Sequence, residues 1–272
     1  MKKVIIAFDG QHYSEGALRT AAWLNQLQTI MVTGVFLSPV DYREVIGYSG
    51  VMAGMPIIPP PVPEAADDSA SMARFEAFCT AQGMEFRIHR DTDLFALQQL
   101  NQETRFADLL ILSSELFFEN VDREQPNEYL RRTLHMAECP VLLVPEEFRE
   151  PRCLVLSYDG KAASVHAMKQ FTSLFPELCS LETILVMMLD ENKELPQMEL
   201  MVELAGRHYP SLTLETLVGE KRNTFARWLE GRPNALLVSG AFSRGGLSHT
   251  FRHSFITEVI RAHRIPIFVS HL

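Results

Sequence analysis

The chain repeats itself. Lys3-Val4-Ile5-Ile6-Ala7-Phe8-Asp9-Gly10, followed by a helical pattern opening at Ser14, returns as Cys153-Leu154-Val155-Leu156-Ser157-Tyr158-Asp159-Gly160, followed by a helical pattern around Ser164. The two Asp-Gly pairs lie about 150 residues apart, the size of one domain. Each copy also closes alike, on Pro140-Val141-Leu142-Leu143-Val144 and on Pro266-Ile267-Phe268-Val269. A repeat of this length makes two domains of one architecture the first expectation, and 272 residues suffice for two. Differences between the copies then mark where function has been kept or lost.

Within each copy, apolar runs alternate with helical periodicity. The first copy predicts strands at Val4 to Phe8, Ile30 to Leu37, Glu85 to His89, Leu109 to Leu112 and Val141 to Val144. Helices are predicted from Ser14, from Ala70, from Asp93 and from Asn127. The second copy predicts strands at Leu154 to Tyr158, Thr183 to Met188, Leu212 to Leu217, Ala235 to Val238 and Ile265 to Val269, with helices from Ser164, Gln197, Asn223 and Ser254. Asp91 or Asp93 is the expected cap of one helix, and Asn223 or Thr224 of another. Continuous apolar strands are covered on both faces. Alternation with helices makes each sheet mainly parallel, with helices on both sides. Pro145-Glu146-Glu147-Phe148-Arg149-Glu150-Pro151 has linker composition, which sets the domains at 1–146 and 151–272. A long break at about 40–70 interrupts the first domain, and its Gly47 to Val62 stretch is rich in glycine, proline and apolar residues. A lid, a sticky segment for a partner and an extended crossing packed on the body are the readings, the last preferred.

Composition narrows the function classes. A net charge of -9 argues against a broad nucleic-acid surface. No apolar run approaches the ~18 residues of a membrane span, and the first apolar run is too short for a signal peptide. Cys79, Cys139, Cys153 and Cys179 form no CxxC pair and no metal-like cluster with histidine, so idle thiols in a reducing cytoplasm are expected. His135, His166, His208 and His263 lack metal spacing. No P-loop, GxSxG or legible catalytic triad appears, and no enzyme is expected.

The duplicated motifs resemble those of the universal stress protein family, with nearly the whole chain covered as a tandem pair. The carrying residues are Asp9-Gly10 with Ser14, Asp159-Gly160 with Ser164, and the closing Cys139-Pro140-Val141-Leu142-Leu143-Val144 and Ile265-Pro266-Ile267-Phe268-Val269. The resemblance implies an α/β fold of two tandem doubly wound, Rossmann-like domains. Each would have a five-stranded, mainly parallel sheet of order 3-2-1-4-5. It also implies pairing through the last strands, so that the tandem chain is a fused pseudo-dimer. Beyond that, a homodimer and an unidentified protein partner are expected, in the cytoplasm, without membrane or nucleic acid.

In an open doubly wound sheet, ligands bind beyond the carboxyl ends of the strands where the strand order reverses. That point lies between the first and fourth strands of each half, at Asp9 and Ser113 or at Asp159 and Gly240. A carboxylate there can accept from a ribose hydroxyl, and a glycine-containing loop can turn its amides to phosphate. The ATP-binding branch of the resembled family carries Gly-x2-Gly-x9-Gly-Ser/Thr after the fourth strand. The second half matches it at Gly240 and Ser254, but Ser243 and His253 stand where glycines belong. Arg244, Gly245 and Gly246 add a cation and two glycines beside them. A solvated basic loop, an anion or nucleotide phosphate site, and a protein contact remain open for this stretch. The resemblance places Met188 near an adenine. The first half has no glycine after Ser113 and carries Glu115, Glu119, Asp122 and Glu124, which repel phosphate. Asp9, Gly10 and Ser113 are therefore read as vestigial, with Asp9 kept for its turn. The preferred function is a stress-response interaction or regulatory protein without tight ATP binding. The other reading is an ATP-like nucleotide or anion sensor using the second half alone.

Overall fold

The structure is a computed structural model that describes residues 1–9, 12–37, 68–91, 96–117, 128–189, 197–218, 221–240, 259–260, 262 and 264–270. Strands β1 (Lys2–Asp9), β2 (Ile30–Leu37), β3 (Glu85–Asp91), β4 (Leu109–Ser113) and β5 (Val141–Val144) form the first half. They are joined by α1 (Glu15–Leu27), α2 (Ser69–Ala81), α3 (Ala96–Thr104) and α4 (Glu128–Met136). The second half has β6 (Cys153–Tyr158), β7 (Glu182–Leu189), β8 (Leu212–Val218), β9 (Ala235–Gly240) and β10 (Ile267–Ser270), with α5 (Ala162–Leu174), α6 (Met198–His208) and α7 (Lys221–Glu230).

These strands make one ten-stranded sheet of order β3-β2-β1-β4-β5-β10-β9-β6-β7-β8. Read inward from either edge, each half runs 3-2-1-4-5, as expected. Neighbouring strands are parallel except β5 and β10, which pair antiparallel with Phe268 opposite Leu142. That antiparallel pair is the seam between the two halves of the sheet.

The period of two explains the layers. Val4, Ile6 and Phe8 join a core on one face of the sheet, and Ile5 and Ala7 join a core on the other. Both cores run through the seam: Leu154, Leu156 and Phe268 belong to the first, Val155 and Ile267 to the second. Residues 145–151 are also less of a linker than their composition predicts. The Phe148 ring lies 5.7 Å from the Trp23 ring on α1. On the same side, the Lys2 ammonium and Gln28 Nε2 (2.9 Å) both donate to the Leu174 carbonyl at the end of α5. A helix leaves its last carbonyls without internal partners, and here the other half supplies donors. Burial pulls the Lys2 ammonium below its ordinary range, against the raising pull of Glu177 and Asp108.

Local signals acted unevenly. Ser14 caps α1, its hydroxyl accepting from the Ala17 amide at 3.1 Å. Helix α5 opens at Ala162, so Ser164 lies inside its first turn and does not cap it. Helix α7 opens at Lys221, which corrects the expectation that Asn223 or Thr224 caps it. The caps expected of Asp91 or Asp93 and the break at 40–70 fall largely outside the described residues. Cys79, Cys139 and Cys179 are buried, Cys153 is partly so, and none forms a disulfide. Burial pushes the Cys79 and Cys139 thiols up to about 12, which keeps them protonated and poor nucleophiles. No helix among the described residues is long and apolar enough to cross a membrane.

Candidate functional site

The duplication creates two crevices, one beyond β1 and β4 and one beyond β6 and β9. Their contents differ because the residues after each Asp-Gly differ.

In the first crevice Asp9 ends β1 with its side chain only 2% exposed. The His12 backbone amide donates to its Oδ1 at 2.7 Å, and His12 Nδ1 lies 2.9 Å from both carboxylate oxygens. Ser113, at the end of β4, turns inward, and its Oγ accepts from the Glu115 and Leu116 amides at 3.3 and 3.0 Å. Ser114 Oγ donates to the Val144 carbonyl at 3.2 Å. A residue two positions beyond β5, in the stretch whose composition reads as a linker, completes the arrangement. Glu146 accepts the Ser14 hydroxyl on Oε1 and the Gly16 amide on Oε2 at 3.2 Å, while its own amide donates to Glu115 Oε1 at 3.2 Å. The N-terminus of α1, which favours an anion, thus holds a carboxylate from its own chain. The Ser14 hydroxyl is committed to Glu146, so it is not poised as a nucleophile against His12.

Gly16 is the sequence trace of this contact. A Cβ there would lie 2.2 Å from the Pro145 carbonyl oxygen, so glycine lets the segment after β5 press on the helix start. Removing the clasp has a predictable cost. Glu146→Ala should lower stability by about 1 kcal/mol, the usual scale for a lost helix-terminal hydrogen-bond partner. Urea unfolding checks this through a lower midpoint at unchanged slope.

In the second crevice the corresponding carboxylate is open. The Asp159 side chain is 40% exposed. Its Oδ1 accepts from the Lys161 amide and the Ser164 hydroxyl, each at 3.1 Å, and Lys161 Nζ lies 3.3 Å from Oδ2. Gly160 has φ +79°, a left-handed turn that suits glycine. Gly240 ends β9, where a Cβ would lie 2.5 Å from both Ala163 C and Ser164 N. Asp159, Ser164 and Gly240 are therefore one contiguous group, with the first turn of α5 pressed on the end of β9. Met188 stands opposite Leu217 on β7, one strand outward from β6. Ser243, Arg244, Gly245, Gly246, His253 and Ser254 lie outside the described residues, as does Gly10. Among the described residues no group of three or more His, Cys, Asp or Glu could hold a metal ion. A cavity of about 360 Å³ lies elsewhere, lined by Leu229 and Pro233 on one side and by Val259, Ala262 and Ile265 on the other.

Solved structures match this double 3-2-1-4-5 sheet along its length. A universal stress protein from Archaeoglobus fulgidus DSM 4304 superposes with TM-score 0.66 over 99% of this chain and 96% of its own, at 11% identity. The chain carries the universal stress protein fold, twice over. A putative universal stress protein from Pseudomonas aeruginosa UCBPP-PA14 matches over 100% of this chain and 93% of its own, with TM-score 0.59 and 12% identity. A functionally unknown protein from Pseudomonas aeruginosa PAO1 matches as well, with TM-score 0.59 and 11% identity, over 100% and 92%. No protein-family model and no curated protein matches the chain. Within the universal stress protein fold, the two crevices are equivalent in topology and unlike in chemistry.

Proposed function

We propose that this chain is a stress-response protein that acts through its surfaces on a protein partner in the cytoplasm, without catalysis and without tight ATP binding. The observation that carries this reading is the first crevice, where Asp9 is engaged by His12 and the α1 N-terminus by Glu146. A nucleotide would have to displace both. In the sequence after β9, Ser243 and His253 stand where the motif of the resembled family has the glycines that let backbone approach a phosphate.

The second reading is a nucleotide or anion sensor confined to the second half, and the open carboxylate of Asp159 favours it. Calorimetry and thermal shift with ATP and ADP separate the two. The expected result is no heat and no rise in melting temperature at millimolar nucleotide. A ligand at a hundred times its Kd would instead stabilise the protein by about 2.7 kcal/mol. Binding that disappears in Asp159→Ala would replace the first reading by the second.

A further inference from the structure

Among the described residues the sheet ends on β3 at one edge and on β8 at the other, and the two edges are built differently. On β3, Glu85, Arg87 and Arg90 are exposed, the kind of charged border that prevents strands from adding on. On β8 the sequence is Leu212-Thr213-Leu214-Glu215-Thr216-Leu217-Val218. Its one charge is turned away and neutralised: Glu215 accepts from Trp228 Nε1 at 2.6 Å and from Arg232 Nη2 at 3.0 Å.

The ladder shows which backbone groups face outward. The Thr183 amide donates to the Ser211 carbonyl at 2.9 Å. In a parallel ladder alternate residues bond to the neighbour, so Thr213, Glu215 and Leu217 turn their amides to β7. Leu212, Leu214, Thr216 and Val218 turn theirs outward. The same residues share one face, where Leu214 is 48% and Val218 58% exposed. Met198 and Leu200, on the α6 helix joining β7 to β8, are also exposed. Among the described residues, the other large exposed apolar side chains are Met1 and Phe106.

We propose that β8 docks a second copy of this chain, antiparallel about a two-fold axis at Thr216. That register sets Leu214 against Val218 of the second copy and Thr216 against its own copy, pairs that stabilise a sheet. An axis at Glu215 would oppose two carboxylates and is disfavoured. Copies that each carry a net charge of -9 repel at long range, and they meet most readily on an edge whose one charge is already paired. A strand pair is small beside the ~800 Å² per partner of a standard interface. The dimer is therefore concentration-dependent. The proposal develops the surface-acting reading above without depending on it, since nucleotide binding in the second crevice would leave β8 unchanged.

The full chain should pass from monomer to dimer in sedimentation velocity between micromolar and several hundred micromolar. Leu214→Lys and Thr216→Pro should each weaken association on the order of tenfold or more, the scale of one or two net hydrogen bonds, with unchanged far-ultraviolet circular dichroism. Proline is tolerated where an edge N–H faces solvent. Thr216→Cys should form a covalent dimer on mild oxidation, because hydrogen-bonded antiparallel partners lie about 5.5 Å apart at Cα, within disulfide reach. Arg87→Cys on the other edge is the control. A chain that stays monomeric, with Thr216→Cys cross-linking no faster than Arg87→Cys, overturns the proposal. So does a dimer that both edge substitutions leave intact.

Discussion

Phe268→Ala should lower stability by about 3–5 kcal/mol, the cost of emptying a fully buried aromatic site. Phe268 is fully buried on β10, opposite Leu142 across the seam. Its ring packs edge-on at 5.2 Å from Phe171 and 6.2 Å from Phe175. Phe171 lies on α5 and Phe175 is its C-cap, next to the Leu174 carbonyl that accepts from Lys2 and Gln28 of the first half. The cavity would open where the halves join, and neighbouring strands are held by their ladders and cannot collapse into it. Calorimetry should show a melting temperature lower by on the order of 10 °C. Unfolding should remain a single transition, because both cores cross the seam. Two separated transitions, with only the second half shifted, would show that the seam does not couple the halves.

Gly16→Ala should also destabilise, by about 2–3 kcal/mol, the range of an overpacked contact. The sign is the informative part. In an unobstructed helix this change stabilises by about 0.4–1 kcal/mol, because alanine restricts the unfolded chain. At Gly16 the new methyl would meet the Pro145 carbonyl oxygen at 2.2 Å and Glu146 Cα at 2.8 Å, both backbone atoms. To make room, the segment after β5 must lift, and the Glu146 contacts with Ser14 and Gly16 are lost with it. Gly206 on α6 supplies the contrast, since a Cβ there would meet nothing within 4 Å. Gly206→Ala should raise the denaturation midpoint while Gly16→Ala lowers it. Equal effects at the two positions would remove the steric account.

The strands were legible because their burial is continuous. Val4 to Phe8 and Val141 to Val144 carry no polar interruption and lie inside the sheet, whereas Leu212 to Leu217 alternates and lies at its edge. Topology was legible through the repeat and the resemblance together. The start of α7 was not, because Asn223 and Thr224 are good caps that the chain uses inside the helix. The contents of the first crevice were hidden for a different reason. Glu146 reaches α1 across most of a domain, and a single polar contact between distant segments leaves no periodic trace. Phe148 was hidden by its neighbours, since one aromatic residue among prolines and charges reads as loop until Trp23 is seen beneath it. Asp9 and Asp159 look alike as residues, and only His12 and Lys161 show that one is closed and the other open.

The antiparallel contact between β5 and β10 has a consequence beyond shape. In separate subunits such a contact forms by mass action and dissolves on dilution. Joined through residues 145–151, it becomes intramolecular, with an effective concentration set by the tether and not by the amount of protein. A symmetric dimer must present the same surface twice, so any change is made in both subunits at once. The tethered pair is released from that constraint. One crevice can be sealed by Glu146 while the other keeps Asp159 open, and the association of the halves is independent of either.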